Sequence, residues 1–449
     1  MVENFKTTFS HLIDNSKLVK LARESKFLVR KSKITPAMFL DMMFYGIGCD
    51  SKSLRLMTFH AQQKHFMGLS KQAIDNRFSK ASTSFAKALL KEALSTQVRT
   101  MIEPTVLDLF RTVRIKDSTT FGIDASLSDL FEGYRKGGGR SSKAAVSIQF
   151  EYDLKTGNVF DIDLQSAVSS DITDVISKKD DIKEGDLIIR DLGYYSAKMI
   201  QDYINKEAFF ISKLNPNLAV RNSPEEDKID FRDLYDQMTA RGLSRLDKVV
   251  YIGKGKQQVR LITELVPESI CQQRVRRRNQ ENKVSGCNTS DEFKARAHFN
   301  LYICNIEVAD CSSDSILKLY RMRWQIELMF KIWKSIMHID LIPKMKRERF
   351  LTTLYLKLFW VFLNWQLIAD LRNHLYKTTN KMLSPFKCFT TIKEMGEQLR
   401  NAIFKNKQKL REILWKIFEN LSHGNWVEKR KERCNFVEIF DLIFCRSIN

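Results

Sequence analysis

Two aspartates at the ends of predicted strands are the first residues whose type and place in the chain could do chemistry. Asp117 closes the alternating segment 113–117, and Asp191 follows the apolar run 187–189 and one arginine. A strand end holds a side chain on a rigid edge, where catalytic and binding groups are often found. Taken singly, either aspartate is also typical of a solvated strand-end carboxylate.

A second group of chemistry-bearing side chains falls on a helix that the apolar spacing predicts over 313–338. At about 100° per residue, one narrow stripe of that helix carries Tyr320, Arg323, Glu327 and Lys334. The apolar residues centre on a neighbouring face, so the polar stripe borders the buried side. A ladder of intrahelical ion pairs is the alternative interpretation of the stripe.

The charge of the chain indicates its partner. The 449 residues include 74 Lys and Arg against 53 Asp and Glu, a net charge of +21. Such an excess favours nucleic acid as the partner, with an anionic membrane surface as the second candidate. One dense basic run has few acids nearby, which favours contact with the DNA backbone over a solvated face. This run contains Arg274, Arg276, Arg277 and Arg278.

The segment 71–78 could be the recognition helix of a helix-turn-helix, with Lys71 and Arg77 among the side chains facing a DNA groove. A solvated amphipathic helix is the alternative. The glycine-rich basic loop 133–143 lacks the order of a phosphate-binding P-loop, so ATP binding is rejected. That loop is expected either to lie beside the site or to form a surface turn.

Membrane, disulfide and zinc functions are not expected. The most apolar stretch, 350–369, is interrupted by Lys357, Asn364 and Gln366, which is typical of a buried helix of a folded domain. The start of the chain does not resemble a signal peptide. The eight cysteines form no C-x-x-C pair, and His60 and His65 are five apart, not four. These features predict a cytoplasmic protein.

The periodicity along the chain predicts an α/β protein. Residues 1–105 are helical, with a capped helix start at Thr35-Pro36. Three neighbouring strands and then alternating helix and strand over 106–214 predict a mixed sheet. Residues 215–300 are predicted to be a β-rich insertion, with strands at 248–252 and 258–262. The α/β pattern resumes over 301–345, and 346–449 is helical.

Three short motifs, in their order on this strand pattern, resemble the DDE transposases of the insertion-sequence-four family. The motifs are Asp117-Ser-Thr119, Asp191-Leu-Gly-Tyr194 and Tyr320-x-x-Arg323-x-x-x-Glu327-x-x-x-x-x-x-Lys334. That family is marked by a Tyr-Arg-Glu-Lys signature on the helix with its third acidic residue. The resemblance covers about 110–340, and the flanking helical regions match in character only.

The resemblance implies an RNase H-like core, interrupted before its last catalytic helix by the insertion. It implies catalysis by Asp117, Asp191 and Glu327, and a grip on DNA phosphates by Tyr320, Arg323 and Lys334. Two Mg²⁺ ions, or Mn²⁺ in their place, would stabilise the attacking and leaving oxygens of phosphodiester cleavage. Asp117 would bridge the ions, while Asp191 and Glu327 would each hold one.

The resemblance also implies a reaction and its partners. The enzyme would cut an insertion sequence at its terminal inverted repeats, which 1–105 would bind, and join the ends to target DNA. It would act as a homodimer paired through 346–449, at the nucleoid of a bacterial cytoplasm. Studied relatives form a hairpin end and stack an aromatic residue on a flipped base, but this sequence has no Trp between 191 and 324. An RNase H-like nuclease without strand transfer and a domesticated DNA-binding protein are the alternatives.

Overall fold

A computed structural model describes residues 13–48, 53–95, 109–134, 142–254, 256–379, 381–404 and 407–427. Most of the glycine-rich loop 133–143 and the basic segment 429–431 lie outside these residues. The chain divides into two compact units. The helical unit comprises the described parts of Met1–Glu103, Ser118–Ser169 and Gln325–Glu438. The sheet unit comprises those of Pro104–Asp117 and Ser170–Trp324.

The sheet unit contains parallel strands followed by antiparallel ones, in the order β1-β4-β5-β9-β8-β7-β6. Strand β1 pairs in parallel with β4, and β4 with β5, whereas β9 is antiparallel to both of its neighbours. The strands are β1 (Thr112–Ile123, of which the first half belongs to this unit), β4 (Asp186–Arg190), β5 (Phe209–Lys213), β6 (Val220–Arg221), β7 (Arg245–Ile252), β8 (Gln257–Leu265) and β9 (Phe299–Cys304). This arrangement confirms the mixed α/β sheet.

Helices of the sheet unit cover the faces of these strands. The whole of β4 is buried, including Asp186 and Arg190 at its two ends, as is typical of a central strand covered on both faces. The hydrophobic core of the sheet unit includes Ile188, Tyr203, Phe210 and Ile303. The helices of the sheet unit are α6 (Asp171–Ser177), α7 (Ala197–Asn205), α8 (Phe231–Ala240), α9 (Glu268–Ser285), α10 (Asp291–Ala297) and α11 (Ser313–Arg321).

The segment 215–300, predicted to be β-rich, is half helical. Strands β7 and β8 form the expected hairpin, but α8, α9 and α10 lie in the same segment. The basic run belongs to α9, which begins after Pro267 and ends at Gly286, where a φ of 67° suits glycine. The strand pattern dominated the prediction because α9 is polar on all sides and carries no apolar stripe to reveal a helix.

The helical unit is built around one long helix. Its helices are α1 (Asn15–Glu24), α2 (Pro36–Gly48), α3 (Leu54–His65), α4 (Lys71–Asp75), α5 (Lys80–Ser95), α12 (Trp324–Ser335), α13 (Arg347–Thr379), α14 (Pro385–Glu394), α15 (Gly396–Ile403) and α16 (Lys407–Ser422). Thr35 caps α2 through its hydroxyl, which accepts from the Met38 amide at 3.2 Å, as predicted. Helix α13 packs against α2, α5 and α14.

Helix α13 contains the apolar stretch 350–369. By length and composition it could cross a membrane, but 94% of its most apolar window is buried inside the protein. Phe359 and Trp360 pack on Phe44 of α2, and the Thr352 and Ser82 hydroxyls are 2.9 Å apart. The predicted core helix is therefore the better description of this segment.

A three-strand order β3-β2-β1 lies in the helical unit, which holds the second half of β1. Strand β2 (Ala144–Asp153) pairs antiparallel with β3 (Val159–Ser166). The turn between them bends at Gly157, whose φ of 74° suits glycine. Phe150 of β2 lies 4.8 Å from Trp333 of α12, measured between ring centroids, so the apolar face of α12 packs on this hairpin.

The prediction of a single helix over 313–338 is wrong. Helix α11 ends at Arg321 and α12 begins at Trp324. At the break, the amide of Arg323 donates to the carbonyl of Tyr320 at 3.1 Å, a tightened i→i−3 bond. The apolar spacing continues through the break, which hides it from the sequence. Tyr320 and Glu327 consequently do not share one continuous helical stripe.

Candidate active site

The register of β1 and β4 brings the two predicted aspartates to neighbouring positions. Lys116 is paired with Arg190 in this parallel ladder. Asp117 follows Lys116 inside β1, which continues to Ile123 instead of ending at Asp117 as predicted, because the alternation lapses in the sequence while the strand pairing does not. Asp191 directly follows the last residue of β4. Neighbouring strands lie about 4.8 Å apart, and in-register residues of a parallel pair project to the same face. Both aspartates are half-buried. The sheet unit therefore presents two carboxylates side by side.

The backbone around Asp191 is held by a buried tyrosine. Asp191 precedes a short 3₁₀ turn, yet its side chain does not cap that turn, unlike those of Asp124 and Asp230 at comparable positions. The hydroxyl of Tyr195 lies 3.0 Å from the carbonyl of Ile188 and 3.2 Å from that of Ile211. Tyr195 thus ties the turn to β4 and β5, and the Asp191 carboxylate remains available for other contacts.

Charged side chains on the opposite face anchor the same two strands. The fully buried Lys116 forms an ion pair with Asp174 of α6, and Lys178 approaches the other oxygen of that carboxylate at 2.8 Å. Burial alone would raise the pKa of Asp174, but the two lysines lower it below its ordinary value. On β4, Arg190 donates to the Tyr203 hydroxyl at 3.0 Å. These contacts fix the residues that immediately precede both aspartates.

Two residues of the predicted signature lie beside the aspartates within the sheet unit. Arg323 places its Nη1 3.4 Å from Oδ2 of Asp117. Tyr320 packs against Tyr302, with ring centroids 5.0 Å apart. Burial raises the pKa of Tyr320, and the charge of Asp191 raises it further, while Arg323 acts in the opposite direction. The tyrosine therefore stays neutral and keeps a hydroxyl proton that it can donate.

The other two signature residues belong to the helical unit. Glu327 lies in the first turn of α12 and is exposed. Lys334 lies in its last turn and donates from Nζ to the carbonyl of Thr120, on the second half of β1, at 3.0 Å. Burial lowers the pKa of Lys334, with Asp340 opposing that effect. This lysine is therefore held against the second half of β1.

The donor set suits a hard divalent cation. Carboxylate oxygens on a rigid strand edge match the preference of Mg²⁺ and Mn²⁺, and no thiolate or imidazole enters the predicted set. Among the described residues, two clusters bring three metal-capable ligand atoms within 4.8 Å of one another, Asp41 with His60 and His65, and Glu268 with Cys271 and His298. Neither includes the predicted catalytic carboxylates.

The arginines of α9 have more internal partners than the sequence predicts. Arg274 donates to the carbonyls of Ala297 and Phe299 at 3.1 and 2.8 Å, which ties α9 to β9. A single acidic residue, Glu281, forms ion pairs with two of these arginines: it lies 3.2 Å from Arg277 and 3.6 Å from Arg278. Arg276 is exposed. Exposed cations along α9 can still reach a DNA backbone, whereas Arg274 mainly supports the fold.

The predicted recognition helix is shorter than expected. Helix α4 spans only Lys71–Asp75 and is capped by Ser70, whose Oγ accepts from the Ala73 amide at 3.1 Å. Lys71 is exposed. Arg77 lies beyond the helix, with its guanidinium 4.4 Å from the Phe27 ring centroid and 3.4 Å from the Ile34 carbonyl. Burial lowers the pKa of Arg77, and its contacts are those of a structural side chain.

Sequence reasoning missed the residues that position the site. Tyr195 directly follows the Asp191-Leu-Gly-Tyr194 motif, and its aromatic type there was the available signal. Asp174 gave no signal, because nothing in a polar helical segment marks it as the partner of Lys116. The role of a backbone carbonyl such as that of Thr120 is also invisible in a sequence.

The fold and the paired aspartates define a class of protein, a DNA-processing enzyme with an RNase H-like core. The family model described as "Transposase DDE domain" matches residues 108–363. The chain belongs to this family and is a DDE transposase of the insertion-sequence-four-like group. Membership implies that the enzyme depends on a divalent metal and acts on DNA.

Curated relatives extend over nearly the whole chain. The transposase of insertion sequence element IS1151 from Clostridium perfringens is 28% identical, over 97% of this chain and 95% of the relative. The transposase of IS231F from Bacillus thuringiensis subsp. israelensis is 29% identical, over 95% and 92%. That of IS231B from Bacillus thuringiensis subsp. berliner is 27% identical, over 95% and 92%. The similarity therefore includes the helical regions on both sides of the core.

Proposed function

We propose that this transposase works by cut-and-paste, cutting an insertion sequence at its terminal inverted repeats and joining the freed ends to target DNA. The observation that carries the proposal is the register that sets Asp117 beside Asp191, with Arg323 on the first aspartate. A carboxylate pair at a strand edge with an arginine beside it can accept cations and then a phosphate.

In the proposed site, Asp117, Asp191 and Glu327 hold two Mg²⁺ ions, and Mn²⁺ can replace them. The ions, when bound, stabilise charge on the attacking and leaving oxygens. Arg323 then leaves its ion pair with Asp117 and binds a DNA phosphate instead. Its planar guanidinium can hold the phosphate through two hydrogen bonds. Tyr320 supplies a neutral hydroxyl donor, and Lys334 a single positive charge from α12.

The assignment of Glu327 as a metal ligand rests on its position in the sequence and on the family resemblance. It follows Arg323 by four residues, and the start of α12 places it in the first turn, where the helix dipole favours an acidic side chain. It is exposed, so its carboxylate is accessible to an ion. No other acidic residue lies in that first turn.

We further propose that the region 1–105 binds the inverted repeats and that the enzyme pairs two ends as a homodimer. Exposed Lys71, at the start of α4, supports groove contact, and exposed Arg276 on α9 supports contact with the DNA backbone. On the described C-terminal helices, Trp415 and Phe386 remain 45% and 38% exposed, which supports a surface for a second copy there. The DNA substrate would place the enzyme at the nucleoid of a bacterial cytoplasm.

Alanine variants of the acids test the catalytic assignment. Asp117→Ala, Asp191→Ala and Glu327→Ala should each abolish Mg²⁺-dependent cleavage of a labelled element end while gel-shift binding of that end persists. Asp180→Ala, which removes a carboxylate 89% exposed on the surface, is the matched control and should cut normally. If any of the three site variants still cut at the wild-type rate, its assignment as a metal ligand would be wrong.

Strand transfer separates the transposase from an RNase H-like nuclease. Pre-cut element ends, mixed with the enzyme, Mg²⁺ and a supercoiled target plasmid, should be joined to the plasmid in pairs. Cleavage without joining would favour the nuclease, and repeat binding without either would favour a domesticated DNA-binding protein. End binding should also weaken steeply as salt increases, since neutralising several phosphates gives a large negative slope.

A further inference from the structure

A buried aspartate in the helical unit receives two imidazoles on one oxygen. Asp41 lies on α2 and is 1% exposed. His60 and His65, both from α3, place their Nε2 atoms 3.0 and 2.7 Å from its Oδ2. Three ligand atoms from two helices thus meet at one point, although the spacing of the histidines alone argued against a metal site.

The second oxygen of this carboxylate has its own partner. Lys64 places Nζ 2.7 Å from Oδ1 of Asp41 and also donates to Oδ1 of Asn401, on α15, at 3.2 Å. Oδ1 is thus held by the lysine, and Oδ2 is the oxygen that faces the two histidines.

The local structure explains why histidines five apart converge. His60 and Lys64 are one turn apart on the face of α3 that packs on α2. His65 is the last residue of α3, and the chain leaves the helix at Phe66, whose φ is 52°. The two imidazole planes are 85° apart, so the rings reach Oδ2 from different directions. Tyr45 stacks on His60 at 4.1 Å and fixes its plane.

We propose that Asp41, His60 and His65 form a site for one transition-metal ion of the Zn²⁺ type. Two imidazole nitrogens and one carboxylate oxygen are a ligand set that zinc commonly uses, with a water as the fourth ligand. Metal–ligand distances of about 2.0–2.1 Å put tetrahedral ligands roughly 3.3 Å apart. The separations from Asp41 Oδ2 to His60 and His65, 3.0 and 2.7 Å, need to open by about 0.3 and 0.6 Å.

The surroundings are compatible with the ion. The side chains of His60 and His65 are 11% and 20% exposed, so the site can be reached from solvent. Lys64 can stay on Oδ1, and Asn401 offers it a second acceptor that limits its repulsion of the metal. The site lies apart in sequence from Asp117, Asp191 and Glu327, and it needs no assumption about the proposed function.

Metal titration of the full-length protein tests the site. Chelator-stripped protein in excess Mg²⁺ is titrated calorimetrically with Zn²⁺, and Co²⁺ is used as a spectroscopic substitute for the ligand geometry. We expect one Zn²⁺ bound through this cluster and intense visible Co²⁺ bands typical of four-coordination. His60→Asn and His65→Asn should each raise the Kd more than about 10-fold, beyond the least cost of losing a supporting residue of a metal site.

A matched control uses the second cluster of metal-capable residues, Glu268 with Cys271 and His298. His298→Asn should leave both the Zn²⁺ affinity and the Co²⁺ spectrum unchanged. Zn²⁺ should also raise the Tm of the wild type and of His298→Asn, but not that of His65→Asn. Wild-type affinity in both His60→Asn and His65→Asn, or no Zn²⁺ binding by the wild type, would overturn the proposal and leave the cluster as a hydrogen-bonded network only.

Discussion

Arg323 places its Nη1 3.4 Å from Oδ2 of Asp117, with both side chains largely buried. Asp117 lies within β1, next to the end of β4 where Asp191 follows. A guanidinium beside a carboxylate neutralises it until another cation arrives, so in the proposed site this contact would link metal binding to phosphate binding. The first prediction concerns this pair.

Replacing Arg323 by alanine should separate metal affinity from catalysis. Without the competing guanidinium, the Mn²⁺ or Mg²⁺ concentration for half-maximal binding should fall by up to about 5-fold, equivalent to about 1 kcal/mol for a partly exposed ion pair. Cleavage should nevertheless drop sharply, since the phosphate contact is lost. Calorimetry and a cleavage assay measure the two effects, and Arg323→Lys should recover only part of the activity because lysine lacks the planar fork. Weaker metal binding in Arg323→Ala would contradict this account.

Removing the hydroxyl of Tyr195 should loosen the turn that carries Asp191. Tyr195→Phe leaves the ring in place but removes the contacts to the Ile188 and Ile211 carbonyls, at an expected cost of about 1–3 kcal/mol in the free energy of unfolding. The cleavage rate should fall while affinity for DNA is kept. Denaturant unfolding and single-turnover kinetics check both outcomes.

Tyr235→Phe is the control for that variant. Tyr235 packs on His298 with ring centroids 4.2 Å apart, and its ring contact survives the change. Equal loss of stability in both variants would show that the Tyr195 hydroxyl has no special positioning role.

A buried acid on α13 should make the helical unit more stable in mild acid. Burial raises the pKa of Asp370 to about 7. Because the folded state holds a proton that the unfolded state has already released above about pH 4, stability should fall as the pH rises from 4 to 7. Asp370→Asn should remove this dependence and stabilise the protein at pH 8 by up to about 4 kcal/mol.

Thermal or urea unfolding between pH 5 and pH 8 measures the effect of Asp370→Asn. Asp129→Asn, a change at an exposed aspartate, should leave the pH dependence as it is in the wild type. A wild-type stability that does not fall over this range would rule out a raised pKa at Asp370.

The sheet and its two aspartates could be predicted because period-two alternation and a wholly apolar run mark half-buried and central strands. That Asp117 and Asp191 lie close together was expected only from the family resemblance, because periodicity does not reveal that β1 pairs with β4. The break between α11 and α12 could not be predicted, since a single tightened hydrogen bond leaves the apolar spacing intact. The same limit concealed α9, whose polar surface carries no periodic signal.

Side-chain partners were the part of the site that the sequence could not supply. Arg77 and Arg274 look like DNA-binding cations in the chain, but they bind aromatic rings and carbonyls of their own unit. The spacing of His60 and His65 did not suggest a metal site. Their common partner, Asp41, lies on a different helix, so the sequence could not show that the three side chains meet. Such contacts depend on tertiary packing, which local pattern and residue type do not determine.

The most direct test of the central claim is a change of metal preference caused by a change of ligand. Asp117→Cys, Asp191→Cys and Glu327→Cys replace a hard oxygen with a softer sulfur, which tolerates Mn²⁺ better than Mg²⁺. Cleavage of a labelled element end is measured in each metal. If these three side chains hold the catalytic ions, the ratio of the Mn²⁺ rate to the Mg²⁺ rate should rise well above the wild-type ratio in each variant. Wild-type rates and an unchanged ratio in the three variants would contradict the account.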